Sequence, residues 1–197
     1  MDKTEYTLDY YNQRALEFVQ GTLEVDFSNL QNQFMDLLPA GGRILDLGCG
    51  SGRDSKAFID RGFQVIAVDG SEALCQMAEA YIGQKVICSR FQDLQVEESL
   101  DGIWACASLL HLNRQEVVEV LNKLTKNLKK GGIVYASFKY GDFEGERRGR
   151  FFMDMTEDSF GEILEEVEGL KILKQMITRD VRPDREEVWL NLFLEIE

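Results

Sequence analysis

The stretch ILDLGCGSGRDS, Ile44 through Ser55, decides the fold. Its aliphatic start reads as a buried strand, and Gly48, Gly50 and Gly52 then turn the chain toward a helix. A loop of this kind lets a flat ligand lie against bare backbone, because glycine has no side chain to hold it off. A dinucleotide fold asks for G-x-G-x-x-G, whose third glycine permits close packing of helix on strand. Here the spacing is G-x-G-x-G, and Arg53 stands where that third glycine belongs. A Walker loop is excluded more firmly, since no Gly-Lys-Ser/Thr follows. Asp46, just ahead of the first glycine, is expected to repel a pyrophosphate and to attract a cation. The loop suits something nucleoside-like with a positive group nearby.

Toward the carboxyl end, QVIAVD finishes on Asp69, about twenty residues past the glycines, where nucleotide folds place an acid on the ribose hydroxyls. Phe91, Gln92 and Asp93 follow a third strand, KVICS, and can stack and hydrogen-bond a base. DGIWACAS and GIVYASF read as a fourth and a fifth strand. Helices fall between them. DSKAFIDRG ends on Gly62, and SEALCQMAEAYIG opens on a capping Ser71 and ends on Gly83. NRQEVVEVLNKLTKNLKKGG carries Val117, Val118, Leu121, Leu124 and Leu128 at helical spacing and is expected to run to the paired glycines. Such alternation implies right-handed crossovers and a parallel sheet covered on both faces. After Gly149 the pattern changes. TEDSFGEILEEVEG reads as a helix, then LKILKQMITRDV and EEVWLNLFLEIE as strands joined through RPDR. The expected fold is α/β, a Rossmann-like doubly wound sheet of seven strands, mostly parallel, with one antiparallel strand from the terminal β-hairpin.

Composition sets outer limits. A chain of 197 residues with 44% hydrophobic content suits one globular domain, 1–197. The formal net charge of −13 opposes binding along nucleic acid or to anionic membranes. No apolar run approaches the roughly 20 residues that span a bilayer, and the start MDKTEYTLDYYNQ lacks the features of a signal peptide, so the expected location is cytoplasmic. Cys49, Cys75, Cys88 and Cys106 lie singly and His111 is the one histidine, which excludes a Cys/His zinc site and predicts buried reduced thiols.

Taken together, ILDLGCGSGRDS, VIAVDGS, RFQDL, LDGIWACASLLHL and LKKGGIVYASF resemble the successive motifs of the class I SAM-dependent methyltransferases, over about Leu38 to Lys139. Within that class the YY near the start and the ASLLHL resemble small bacterial methyltransferases of the tellurite-resistance-like type. The resemblance implies S-adenosyl-L-methionine (SAM) as cofactor and a small molecule or small oxyanion as acceptor. By the same resemblance Gly48 and Gly50 contact the methionyl part, with Asp46 near its ammonium. Asp69 takes the ribose beside Gly70 and Ser71, and Phe91, Gln92 and Asp93 surround adenine. Ala107 and Ser108 line the path to the acceptor. Residues 1–36 are expected to form a helical lid with Tyr11 as its tyrosine, 37–140 the SAM-binding core, and 141–197 the acceptor loop, helix and hairpin.

Sulfonium is already an activated leaving group, so the protein mainly orients the acceptor, and a base is needed only where a proton must leave. His111, just past the fourth strand, is the candidate. Arg147, Arg148 and Arg150 concentrate positive charge in the stretch after the fifth strand and can fork onto a carboxylate or other oxyanion, with Arg147 and Arg148 as the candidate anchors of an anionic acceptor. Cys106 follows Ala105 rather than proline, against a cytosine-C5 nucleophile, and the Asn/Asp-Pro-Pro-aromatic motif of amino-methylating DNA enzymes is missing. An NAD-dependent oxidoreductase and a binding module that holds SAM without turnover remain the rival readings.

Overall fold

The structure is a computed structural model that describes residues 3–197. Three helices precede the sheet: α1 (Lys3–Gln13), α2 (Ala15–Thr22) and α3 (Ser28–Met35). Then β1 (Arg43–Leu47), α4 (Arg53–Asp60), β2 (Gln64–Asp69), α5 (Glu72–Ile82), β3 (Val86–Cys88), β4 (Leu100–Ala105), α6 (Arg114–Leu124) and β5 (Leu128–Lys139) alternate as expected. A small hairpin, β6 (Glu144–Arg147) with β7 (Arg150–Met153), comes next, followed by α7 (Glu157–Leu164), β8 (Leu170–Arg179) and β9 (Val188–Ile196). The main sheet has seven strands in the order β3-β2-β1-β4-β5-β9-β8. Pairing is parallel from β3 through β5, and β9 is antiparallel to both its neighbours. The single reversed strand predicted from the terminal hairpin is therefore present, and it lies inside the sheet.

Both faces are covered. On one side Leu45, Val68, Ile103 and Val134 meet Val117, Val120, Leu121 and Leu124 of α6 and Phe160 and Ile163 of α7. On the other, Phe34 of α3 and Phe58 of α4 pack around Trp104, which stacks on Tyr135 at 3.9 Å between ring centroids. Buried aromatic polar atoms find partners: the Trp104 indole N–H donates to Asp54 at 2.8 Å, and the Tyr135 hydroxyl donates to Asn191 Oδ1 at 2.7 Å.

Three expectations are corrected. The helix through Leu121 ends at Leu124 rather than at the paired glycines. A 3-10 turn, Thr125–Asn127, intervenes, and Leu128 heads β5 and pairs with Leu100, so its helical spacing is incidental. Within the span 28–36, Phe34 is fully buried in the core. The stretch after β5 is a hairpin rather than a loop, turning through Arg148 and Gly149, both at positive φ (54° and 80°). Two residues at positive φ match the twist of a tight hairpin turn, and arginine there costs more than asparagine or glycine would. Among the cysteines, Cys88 is exposed and Cys106 half-buried, so only Cys49 and Cys75 meet the expectation of buried thiols.

Candidate active site

At the carboxyl ends of β1, β2, β4 and β5 a cavity of about 350 Å³ opens, roofed by α1 and α2 and flanked by β7 and the β8–β9 turn. The glycine loop forms its floor. The N–H groups of Gly48 and Cys49 donate to the Val68 carbonyl at 2.8 and 2.9 Å, which pins the loop onto β2. Gly48 has φ +87°, and a methyl group added there would lie 2.5 Å from Ser108 Cβ. Only glycine serves at that point. The end of β4 is also strained, with Ala107 at φ +50° and its N–H donating to Ser137 Oγ at 2.8 Å. Beyond it Ser108 Oγ is buried at the cavity wall without a hydrogen-bond partner.

Asp69 is held from two sides. Gly50 N–H donates to one carboxylate oxygen at 2.9 Å and Ser71 N–H to the other at 2.8 Å. Burial raises its pKa, and the same amides of Ser71 and Gly50 oppose the rise. After β3, Lys123 Nζ donates to the carbonyls of Phe91 and Gln92 at 3.1 and 2.6 Å and fixes that turn. Gln92 Nε2 reaches Glu116 at 3.5 Å, leaving Gln92 Oε1 buried and unpartnered.

The roof meets the floor through a polar chain. Arg150 donates to the Tyr11 hydroxyl at 3.2 Å, the Tyr11 hydroxyl lies 2.8 Å from His111 Nε2, and His111 Nδ1 lies 2.7 Å from the Phe151 carbonyl. A carbonyl only accepts, so the proton sits on Nδ1 and Nε2 accepts from Tyr11. Burial pushes the His111 pKa down to about 4, with the Phe151 carbonyl opposing and the charges of Arg150 and Lys139 reinforcing the shift. His111 is neutral at neutral pH. Its depressed pKa also makes a stability prediction. Between pH 6.5 and about 4 the unfolded chain binds a proton that the folded chain refuses, so stability is lost as pH falls through that window. Wild type should lose roughly 3 kcal/mol relative to His111→Asn between those limits. Chemical denaturation of both proteins across the window is the check. Asp46, whose pKa burial and then Asp54 raise to about 8, acts in the opposite sense and cancels in the comparison. A difference that stays flat from pH 7 to pH 4 would show that the imidazole is already charged or solvated.

Ten expected site residues border one cavity: Gly48, Gly50, Asp69, Gly70, Phe91 and Gln92, together with Ala107, Ser108, His111 and Tyr11. Five do not. Asp46 is buried beneath the loop and accepts from the Ser55 hydroxyl at 2.6 Å, so Asp54 and Asp69 are the carboxylates that reach the floor. Ser71 is spent as the cap of α5 and donates to Asn12 Oδ1 at 2.7 Å. Asp93 is exposed, and Gln92 takes its place at the wall. Arg147 is drawn to Asp154 at 2.7 Å, and Arg148 is exposed at the hairpin turn. Arg150, read only as part of that charged stretch, is the arginine that enters. The sequence reading also missed Phe18, which stands over Gly50, and Lys139, Arg182 and Trp189 on the far wall.

Residues 44–132 match the family model of a methyltransferase domain. YqeM of Bacillus subtilis (strain 168), which carries a methyltransferase name, is 32% identical over 132 residues, covering 61% of this chain and 52% of that protein. The chain thus spans about half the length of such a relative. The crystal structure of Burkholderia thailandensis 1,6-didemethyltoxoflavin-N1-methyltransferase, with 1,6-didemethyltoxoflavin and S-adenosylhomocysteine bound, superposes with a TM-score of 0.79 at 18% identity, covering 100% of this chain and 91% of that one. The [4+2]-cyclase SpnF superposes at 0.72 and 17% identity, covering 98% and 94%. Over residues 44–132 the chain is similar to methyltransferase domains, and its fold is that of solved SAM-dependent methyltransferases. Its fold is shared by proteins of more than one chemistry.

Proposed function

We propose that the protein transfers a methyl group from SAM to a small-molecule acceptor enclosed between the glycine loop and the amino-terminal helices. The observation that carries this reading is the set of unused groups on one wall. The Gly48 cradle admits no Cβ, Asp69 keeps lone pairs toward the cavity, and the buried Oε1 of Gln92 and Oγ of Ser108 have no partner. Buried polar atoms without partners are costly, and a ribose and an exocyclic amine would satisfy Asp69 and Gln92. These residues fit SAM. Bound there, SAM supplies a methyl carbon already activated by sulfonium. The lone pair of the acceptor forms the new bond and the carbon–sulfur pair stays with sulfur. A proton leaving the acceptor passes to Tyr11 and on to the Nε2 lone pair of His111. α1 and α2 exclude water and hold the acceptor in line, which can lower the barrier by roughly 7–11 kcal/mol where alignment is good.

Residues 3–22 act as the cover and the rest of the chain as one domain around the sheet, a reading supported by Tyr11 and Phe18 bordering the cavity. The chain's net charge of −13 supports a small acceptor over nucleic acid, and no helix among the described residues is long and apolar enough to cross a membrane. Calorimetry should show SAM and S-adenosylhomocysteine (SAH) binding with NAD at least a hundredfold weaker, because Arg53 replaces the close-packing glycine of a pyrophosphate loop. Labelled SAM and an acceptor panel then test transfer. NAD binding more tightly than SAM would end this reading. SAH binding without methyl transfer to any acceptor would favour a SAM-dependent binding or cyclising role on the same fold.

A further inference from the structure

The cavity wall carries a charge opposite to that of the chain. Eight of the 22 lysines and arginines border it, but only five of the 35 aspartates and glutamates. A positive cleft in a body of net charge −13 draws small anions inward while the body repels large ones. Several of these cations already hold a carboxylate of the protein: Arg53 meets Asp54 at 2.7 Å, Lys139 meets Glu187 at 3.1 Å and Arg182 meets Asp180 at 2.6 Å.

Arg150 differs. It has no carboxylate partner among the described residues. One guanidinium nitrogen donates to Tyr11, and its Nε is buried with no partner. Its flat face lies against rings instead, 4.4 Å from the centroid of Tyr10 and 5.0 Å from that of Phe152. Lys139 approaches the same Phe152 ring at 5.2 Å and Trp189 at 5.9 Å. A half-buried guanidinium that keeps a buried donor free and lacks a counter-charge is held at a cost, which a bound anion would remove. The place is close to the expected chemistry. Arg150 touches Tyr11, Tyr11 touches His111, His111 N–H donates to the Ser108 carbonyl at 3.2 Å, and Ser108 stands against Gly48.

Resting on the methyltransferase reading, the geometry points to an acceptor that is a flat aromatic anion, its charge held by Arg150 with Lys139 behind it and its ring among Tyr10, Phe152 and Trp189. The charges around His111 give this arrangement a second consequence. Arg150 and Lys139 both lower the basicity of His111, so an anion seated between them raises it. The acceptor thereby improves the base that serves it, and Arg150 acts both as anchor and as tuner of Tyr11 and His111.

The test uses the full chain saturated with SAH and three pairs of probes: benzoate, salicylate and naphthoate, each against its carboxamide. Thermal shift and calorimetry should find at least one carboxylate bound, with its amide at least tenfold weaker. Arg150→Gln should abolish that preference and Lys139→Gln should reduce it several-fold, while both bind SAH within about threefold of wild type. Arg148→Ala, at the exposed turn, should bind every probe as wild type does. Failure of SAH to bind overturns the methyltransferase reading and this inference with it. SAH binding without any carboxylate, or with amides bound as well as their acids, overturns the inference alone. A charge preference that survives in both Arg150→Gln and Lys139→Gln, each shown folded by its SAH affinity, also overturns it.

Discussion

Asp69→Ala should weaken SAH binding by at least a hundredfold in a chain that still folds. Each carboxylate oxygen spends one lone pair on a backbone amide, Gly50 on one side and Ser71 on the other, and faces the cavity with the rest. Two ribose hydroxyls donating to a buried carboxylate would contribute roughly 1.5–3 kcal/mol each. Losing both amounts to roughly 3–6 kcal/mol, a hundredfold at the low end. The amides of Gly50 and Ser71 also lose their acceptor, so the glycine loop slackens as well. Calorimetry with SAH, paired with thermal unfolding of the apo chain, separates loss of binding from loss of fold. Affinity within threefold of wild type in a folded variant would place the ribose elsewhere.

Removing the chain through Thr22 should speed SAH dissociation by about two orders of magnitude and reduce turnover at least as much. Leu8 stands over Gly70 and Phe18 over Gly50, so a methyl group added at either glycine would meet them at 2.6 and 2.9 Å. The same deletion takes away Tyr11, and misplacing an acceptor by an ångström can cost about a hundredfold in rate. Folding should survive, because Ala15 is the only apolar residue of α1 and α2 that is buried. Stopped-flow displacement of SAH gives the first quantity without knowledge of the acceptor. Dissociation as slow as in the full chain would mean that these helices do not cover the ligand.

The sheet was legible because strand and helix periods alternate cleanly from Arg43 to Lys139, and because glycines end the helices at 62 and 83. The cavity floor was legible where a residue type marks it: glycine at 48, an acid at 69. What escaped depends on long-range contacts. Asp46 and Asp54 are both acids near the loop, and only the packing of α4 on the sheet decides which is buried under it and which reaches the cavity. Arg147 and Arg150 oppose each other across a hairpin whose turn lacks the Asn-Gly or Asp-Gly signal. Asp154 then draws one aside, and Tyr11 receives the other. The far wall, with Arg182 and Trp189, comes from the turn between β8 and β9 and from β9 itself, and nothing local marks those residues as facing the glycine loop.

The reversed strand also bears on how the molecule assembles. β8 has one neighbour in the sheet, β9, and β9 joins it to β5, whose nearest residues lie about fifty positions earlier in the chain. β8 therefore has no place to dock until β9 has inserted, and the loop that closes with that insertion is long, which slows the step. The half of the sheet that carries Gly48 and Asp69 has no such dependence. A nascent chain would complete the half of the sheet beneath the glycine loop first and its Trp189 wall last, so an enclosed cavity would be the final property acquired during folding.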